Sequence, residues 1–188
     1  MLISFNWLKQ YVDLPSSVSA DDLGLKLTMS TVEVEGIKKM SESLEGIILG
    51  KVTKVDKHDN ADKLKVCSVY DGKKDIKVVC GGSNVSENML VAFAPVGTKV
   101  RWHGEGELVE LAKVKIRGVE SNGMICAASE IGLSEMFEQK NEREILDLTD
   151  KKLDSKIGQS LVKILGLDDI VFDIDNKSMT HRPDLWGH

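Results

Sequence analysis

The sequence predicts a discontinuous α+β host domain interrupted by an inserted all-β, five-stranded barrel. Three observations predict it. Five short apolar runs, each bounded by turn residues, occupy the middle of the chain. Ser41-Glu42-Ser43 reads as a linker at which the character of the chain changes. The two flanks each offer only two or three elements and are too small to hold a core alone. The barrel is therefore assigned to 41–148, and 1–40 is joined with 149–188.

In order, Leu2-Ile3-Ser4-Phe5 reads as a short strand, and Asn6 as a cap for the turn from Trp7 to Tyr11. Ser19 and Asp22 form a capping box ahead of Leu23 and Leu27, which predicts a helix from about Ala20 to Met29. Val32, Val34 and Gly36 share one face of a strand. The five barrel strands are read at 47–52, 64–70, 76–80, 90–94 and 111–116. Asp59-Asn60, Asp71-Gly72, the 81–84 stretch, Gly97 and 104–106 separate them. A further strand is read over Glu144–Leu148. An amphipathic helix follows, carrying Ile157, Leu161, Ile164 and Leu165 and closed by Gly166. A last strand buries Ile170, Phe172 and Ile174.

The bulk numbers exclude several classes. The chain has 188 residues, 41% apolar and 29% charged, which suits a core-forming protein. No apolar run approaches the length of a membrane span, and Met1–Phe5 lacks the basic start of a signal peptide. Cys67, Cys80 and Cys126 have no CxxC spacing and lie in strand-like runs. They read as buried, reduced thiols with no metal among them. The formal charge of −5 argues against a generic polyanion binder. It hides a gradient. Residues 51–77 hold eight Lys against five Asp, a net +3, and residues 130–154 hold four Lys or Arg against eight Asp or Glu, a net −4. The first stretch suits an anionic partner and the second does not.

One stretch stands out, Lys113 to Leu133. Two short strands, Lys113–Ile116 and Met124–Cys126, bracket the polar residues Arg117, Glu120, Ser121 and Asn122. Such a loop offers donors to a phosphate or a base edge. The plainer reading is a hairpin corner that satisfies only its own backbone. No catalytic constellation accompanies it: GxSxG, P-loop, HExxH and GxGxxG motifs are all absent. His58 reads as solvated in a turn beside Asp56, Asp59 and Asp62. His181, Arg182 and Asp184 cluster near the end without a nucleophile. Of the aromatics able to stack a base, Tyr70, Phe93 and Trp102, Phe93 reads as core.

Four segments, VTKVDKHDNADKL from Val52, Val79–Val85, RGVESNGM from Arg117 and SEIGL from Ser129, together resemble the tRNA-binding OB-fold module of several synthetases. Phe5-Asn6-Trp7-Leu8 with Tyr11-Val12, Leu27-Thr28-Met29, Val34-Glu35-Gly36 and Thr180–Asp184 resemble the amino-terminal region of the bacterial phenylalanyl-tRNA synthetase beta subunit. Asp59 departs from the proline that usually follows the histidine there. The chain ends at His188, well short of that subunit's length. The resemblance implies a first host domain split by an OB-fold, in a parent that attaches phenylalanine to tRNA(Phe) with ATP and magnesium. It implies a cytoplasmic α2β2 assembly with the alpha subunit and no membrane partner. It carries no catalytic residue, metal or cofactor onto these positions, so the piece alone is expected to be inactive. His181, Arg182 and Asp184 become a joint toward a further domain. The RNA contact is expected at Arg117, Ser121, Asn122 and Met124, with Asn84, Lys63 and Lys65 around them. An architectural role with little RNA contact stays open beside it.

Overall fold

The computed structural model describes residues 1–175. The chain runs β1 (Leu2–Ser4), α1 (Phe5–Leu8), α2 (Ala20–Ser30), β2 (Glu33–Lys39), β3 (Ile48–Lys57), β4 (Lys65–Tyr70), β5 (Asp75–Cys80) and β6 (Leu90–Pro95). Four short strand pieces and one more barrel strand follow: β7 (Lys99–Arg101), β8 (Leu108–Glu110), β9 (Val114–Ile116), β10 (Val119–Ser121) and β11 (Gly123–Ile125). Helix α3 (Leu161–Leu165) and β12 (Ile170–Asp175) complete it. Contacts divide the chain into two compact units, one formed by Met1–Glu42 with the chain from Gly166 onward, the other by Ser43–Leu165.

The first unit is a three-stranded antiparallel sheet, β1-β12-β2, with α2 beside β2. Alternation along β12 buries Phe172 and Ile174 and leaves Asp173 outside. A bulge between Asp173 and Ile174 skips Glu35, so Val34 and Ile37 both reach the core despite their odd spacing. Phe5 meets Phe172 edge to face at 5.8 Å. The Ser19 capping box forms as expected, with Asp22 N–H donating to Ser19 Oγ and Ser19 N–H donating to Asp22 Oδ2. The first helix differs from expectation: Ser4, not Asn6, is its cap, accepting from Trp7 N–H at 2.9 Å. Asn6 instead donates its backbone N–H to Asp169.

The second unit is built on a five-stranded antiparallel sheet, β11-β6-β3-β4-β5, curled into a nearly closed barrel. Val52, Val69, Val78, Val91, Phe93 and Ile125 fill it. Strand β6 is buried along nearly its whole length because residues 147–149 bond to its other side: Leu148 N–H donates to Leu90 O and Asp147 bridges Val91. Residues 144–148 thus dock as an extended segment and do not form the strand expected there.

Two expectations are corrected. The fifth barrel strand is β11, not 111–116. Leu111 ends the β7–β8 hairpin, donating to Thr98 O, and Val114–Ile116 folds back on Val119–Ser121. The second unit also runs past residue 148. Leu49 N–H donates to Gln159 O, Gly158 N–H to Leu49 O and Leu161 N–H to Ile47 O, so 158–161 pairs with the start of β3.

Asp169 ties the first unit together, accepting from Ser4 Oγ and from the Asn6 and Ile170 amides. Burial pushes its carboxyl up, but these donors outweigh burial and hold it below the usual 3.8. A depressed carboxyl stabilises the fold above the unfolded value and loses that stabilisation as pH falls through the folded one. Asp169→Asn should therefore lower amide-exchange protection in β1 and β12 at pH 7, and the two proteins should converge below pH 3.8. Equal protection at pH 7 would contradict this role.

A basic hairpin held at the barrel seam

A five-stranded sheet has two edges, here β5 and β11, and closing the barrel requires satisfying both. Ser121 does this with one buried hydroxyl. Its Oγ accepts from Val79 N–H of β5 at 3.0 Å and donates to Gly123 O of β11 at 3.1 Å. Beside it Asn122 N–H donates to Lys77 O at 3.0 Å. Gly123 sits at φ 146, and a Cβ there would lie 2.7 Å from both Ala94 O and the Phe93 ring. No other residue fits that crossing.

The seam fixes the β9–β10 hairpin. Its two central residues, Arg117 and Gly118, have φ 46 and 96, the positive pair that a type I′ turn requires. The tip is braced by the turn after β3. His58 is buried, contrary to the solvated reading. Its Nδ1 accepts from Asn60 N–H at 3.1 Å, so Nε2 carries the proton and donates to Ile116 O at 3.2 Å. Asn60 Nδ2 donates to Arg117 O at 3.4 Å.

The seven nominated residues divide. Arg117 is exposed at the hairpin tip and Lys63 is exposed in the bracing turn. Among the described residues neither side chain has a hydrogen-bond or ion-pair partner. Lys77, which was not nominated, projects from β5 beside Asn122 in the same condition. Asn122 donates its amide to Glu120 Oε1 at 3.2 Å. Glu120 also takes the Lys113 ammonium at 2.9 Å, and the Lys113 and Asn122 donors hold its carboxyl below the ordinary value. Met124 is half-buried in β11, opposite Ala94.

The remaining three are spoken for inside the fold. Ser121 is 2% exposed. Asn84 clips the 81–84 loop to the chain, donating to Ile145 O and accepting from Ile145 N–H, both at 2.9 Å. Lys65 Nζ donates to Val85 O at 3.0 Å. Arg143, absent from the nominated set, binds Gly81 O and Lys63 O and so anchors the same corner. Of the candidate stackers, Phe93 is fully buried, Tyr70 half-buried, and Trp102 lies apart, in the turn that follows β7. His181, Arg182 and Asp184 lie outside the described residues.

Chemically this surface offers exposed cations. Arg117, Lys63, Lys77 and Lys115 can meet an anionic backbone, and among the described residues no paired acid, base and nucleophile accompany them. Cys67, Cys80 and Cys126 are free and buried, and burial pushes the Cys126 thiol well up. Among the described residues no group of His, Cys, Asp or Glu is placed to hold a metal ion, and no helix is long and apolar enough to cross a membrane.

Residues 47–156 match a family model described as "Putative tRNA binding domain". The phenylalanine–tRNA ligase beta subunit of Oceanobacillus iheyensis is 38% identical over 184 residues, covering 98% of this chain and 22% of that protein. Its counterpart in Leptospira borgpetersenii is 34% identical over 188 residues, covering 100% and 22%. The chain thus spans about a fifth of the length of these relatives. Among solved structures, the C-terminal domain of Plasmodium vivax p43 is 24% identical over 42% of this chain and 43% of that one, with a TM-score of 0.32.

The seam generates a direct test. Removing the hydroxyl leaves Val79 N–H buried without an acceptor, which costs about 1–3 kcal/mol. Ser121→Ala should lower the urea-unfolding free energy by that amount, whereas Lys63→Ala should change it by less than ~0.5 kcal/mol. Equal effects would place Ser121 on the surface with the lysine.

Proposed function

The chain belongs to the tRNA-binding domain family, and from that membership we propose that its hairpin surface docks tRNA on behalf of a phenylalanine–tRNA ligase beta subunit. The observation that carries the reading is Arg117, exposed at a braced tip and without a side-chain partner among the described residues, with Lys63 and Lys77 on the neighbouring segments. Arg117 forks onto a phosphate, and Gly118 beside it admits close approach of the RNA backbone. Asn122 has one amide proton left for a ribose or base. Stacking aromatics are scarce on this surface, so shape and phosphate contacts dominate over base readout.

The finer parts of the reading belong to the same proposal. The first unit is an α+β host domain, discontinuous in sequence, and the barrel is an OB-fold inserted into it. The parent enzyme attaches phenylalanine to tRNA(Phe) in the cytoplasm as an α2β2 assembly with an alpha subunit. ATP and magnesium serve that reaction in the parent enzyme. Ser121 and Asn84 leave the site and become its supports.

Binding of tRNA(Phe) to the 188-residue chain and to Arg117→Ala should be measured at two salt concentrations, with folding checked by circular dichroism. Loss of one charge-assisted phosphate contact lowers affinity by about 1–3 kcal/mol and reduces the salt slope by roughly one. Equal affinities at both salts would remove RNA docking from this hairpin and leave the architectural role.

A further inference from the structure

Two of the three cysteines form a pair inside the barrel. In the β4–β5 register Cys67 lies opposite Val78 and Cys80 opposite Lys65, so the two cysteines are diagonal neighbours on one face. Both point into the same core: Cys67 is 1% exposed and Cys80 5%. Their side chains are hydrogen-bonded to each other.

The pair is not symmetric. Gly82 N–H donates to Cys80 Sγ at 3.2 Å. The amide reaches the sulfur because residue 82 is glycine: a Cβ there would lie 2.8 Å from the Ile145 side chain and 3.2 Å from Cys80 Sγ. Lys65, opposite Cys80, adds a favourable positive charge. The Cys67 thiol and the Gly82 amide hold the Cys80 thiol below its usual value against burial, while Cys67, as the donor, is pushed up. Cys80 thus carries the thiolate and Cys67 keeps its proton. Cys126 differs: burial dominates there and pushes its thiol well up.

We propose that Cys80 and Cys67 form a peroxide-reactive dithiol that closes to a disulfide and loosens the barrel seam. The Cys80 thiolate attacks one oxygen of hydrogen peroxide. The O–O bond breaks, Cys80 becomes a sulfenic acid, and the departing hydroxide takes up the proton that Cys80 released. The Cys67 sulfur then attacks Cys80 Sγ, and the sulfenic hydroxyl leaves with the Cys67 proton as a second water. The two sulfurs together lose two electrons, which the peroxide gains.

The effect on the seam follows from position. Val79 adjoins Cys80 in β5, and its N–H is the one that Ser121 accepts. A disulfide holds its Cα atoms about 4.4–6.8 Å apart, whereas diagonal strand neighbours lie roughly 7–8 Å apart. Closing the bond draws the end of β5 toward β4 and pulls the Val79 N–H away from Ser121. The inference goes beyond tRNA docking and does not rest on it.

The test treats the folded 188-residue chain with hydrogen peroxide and follows free thiols, intact mass and peptide-mapped disulfides. The three free thiols should fall to one, with loss of two hydrogens and a linked Cys67–Cys80 peptide. Cys67→Ser should stop at a sulfenic acid on Cys80, trapped by dimedone, and Cys80→Ser should keep both of its thiols. In the oxidised chain the Val79 and Asn122 amides should exchange faster, and dithiothreitol should restore them. The proposal is overturned if peroxide leaves all three thiols free or if the disulfide includes Cys126. It is equally overturned if the bond forms only as fast as residues 90–94 exchange, through global unfolding, or if both seam amides keep their protection in the disulfide form.

Discussion

The buried hydroxyl of Ser121 is the contact on which the barrel and its hairpin both depend. An open five-stranded sheet leaves two rows of backbone groups without partners, and each is a site of aggregation or loss of order. Here β5 and β11 come together only over a few residues. The seam is made by Val79 N–H, the Ser121 hydroxyl, Gly123 O and the Asn122–Lys77 backbone bond. A hydroxyl can accept from one edge and donate to the other, and a larger polar group would not pass between them. Gly123 is needed next to it because the crossing brings the backbone onto the Phe93 ring.

Presentation of the hairpin follows from that seam. The β10 strand is fixed at its base by Ser121 and Asn122, and its tip is braced by His58 and Asn60. Arg117 therefore stands on a support tied at both ends, which lowers the entropy cost of docking a rigid partner. The charge gradient then acquires a spatial meaning. Lys63, in the turn that braces the tip, and Lys77, beside Asn122, join Lys115 and Arg117 at the hairpin, while Glu130 and Glu142 line a separate cleft of the same unit.

Much of this was legible in the sequence, and the failures have physical causes. Four of the five barrel strands show apolar alternation or continuous burial, and those runs fall where the strands form. The fifth was misplaced because Leu111–Ile116 alternates as well as a core strand does, although it serves the connections between β6 and β11. Only the Arg117-Gly118 pair, both at positive φ, marks the reversal. Ser121 was read as a ligand group because a small polar residue near glycine has the same sequence signature in a loop and in a seam. His58, set among aspartates, gave no sign of burial; its two ring nitrogens serve backbone groups that local pattern does not connect. The division at 148 failed because 158–161 pairs with β3 through backbone atoms alone. Arg117 and Lys63 are exposed because turn residues between paired strands have nothing to bury against.

The most direct measurement is amide hydrogen exchange at Val79 and Asn122, the two N–H groups that cross the seam. If the seam closes the barrel, both should exchange as slowly as the amides of residues 90–94, opening only with the whole unit. Exchange at the rate of an exposed loop, with residues 90–94 still protected, would mean that the barrel stands open and that the hairpin is not held by Ser121.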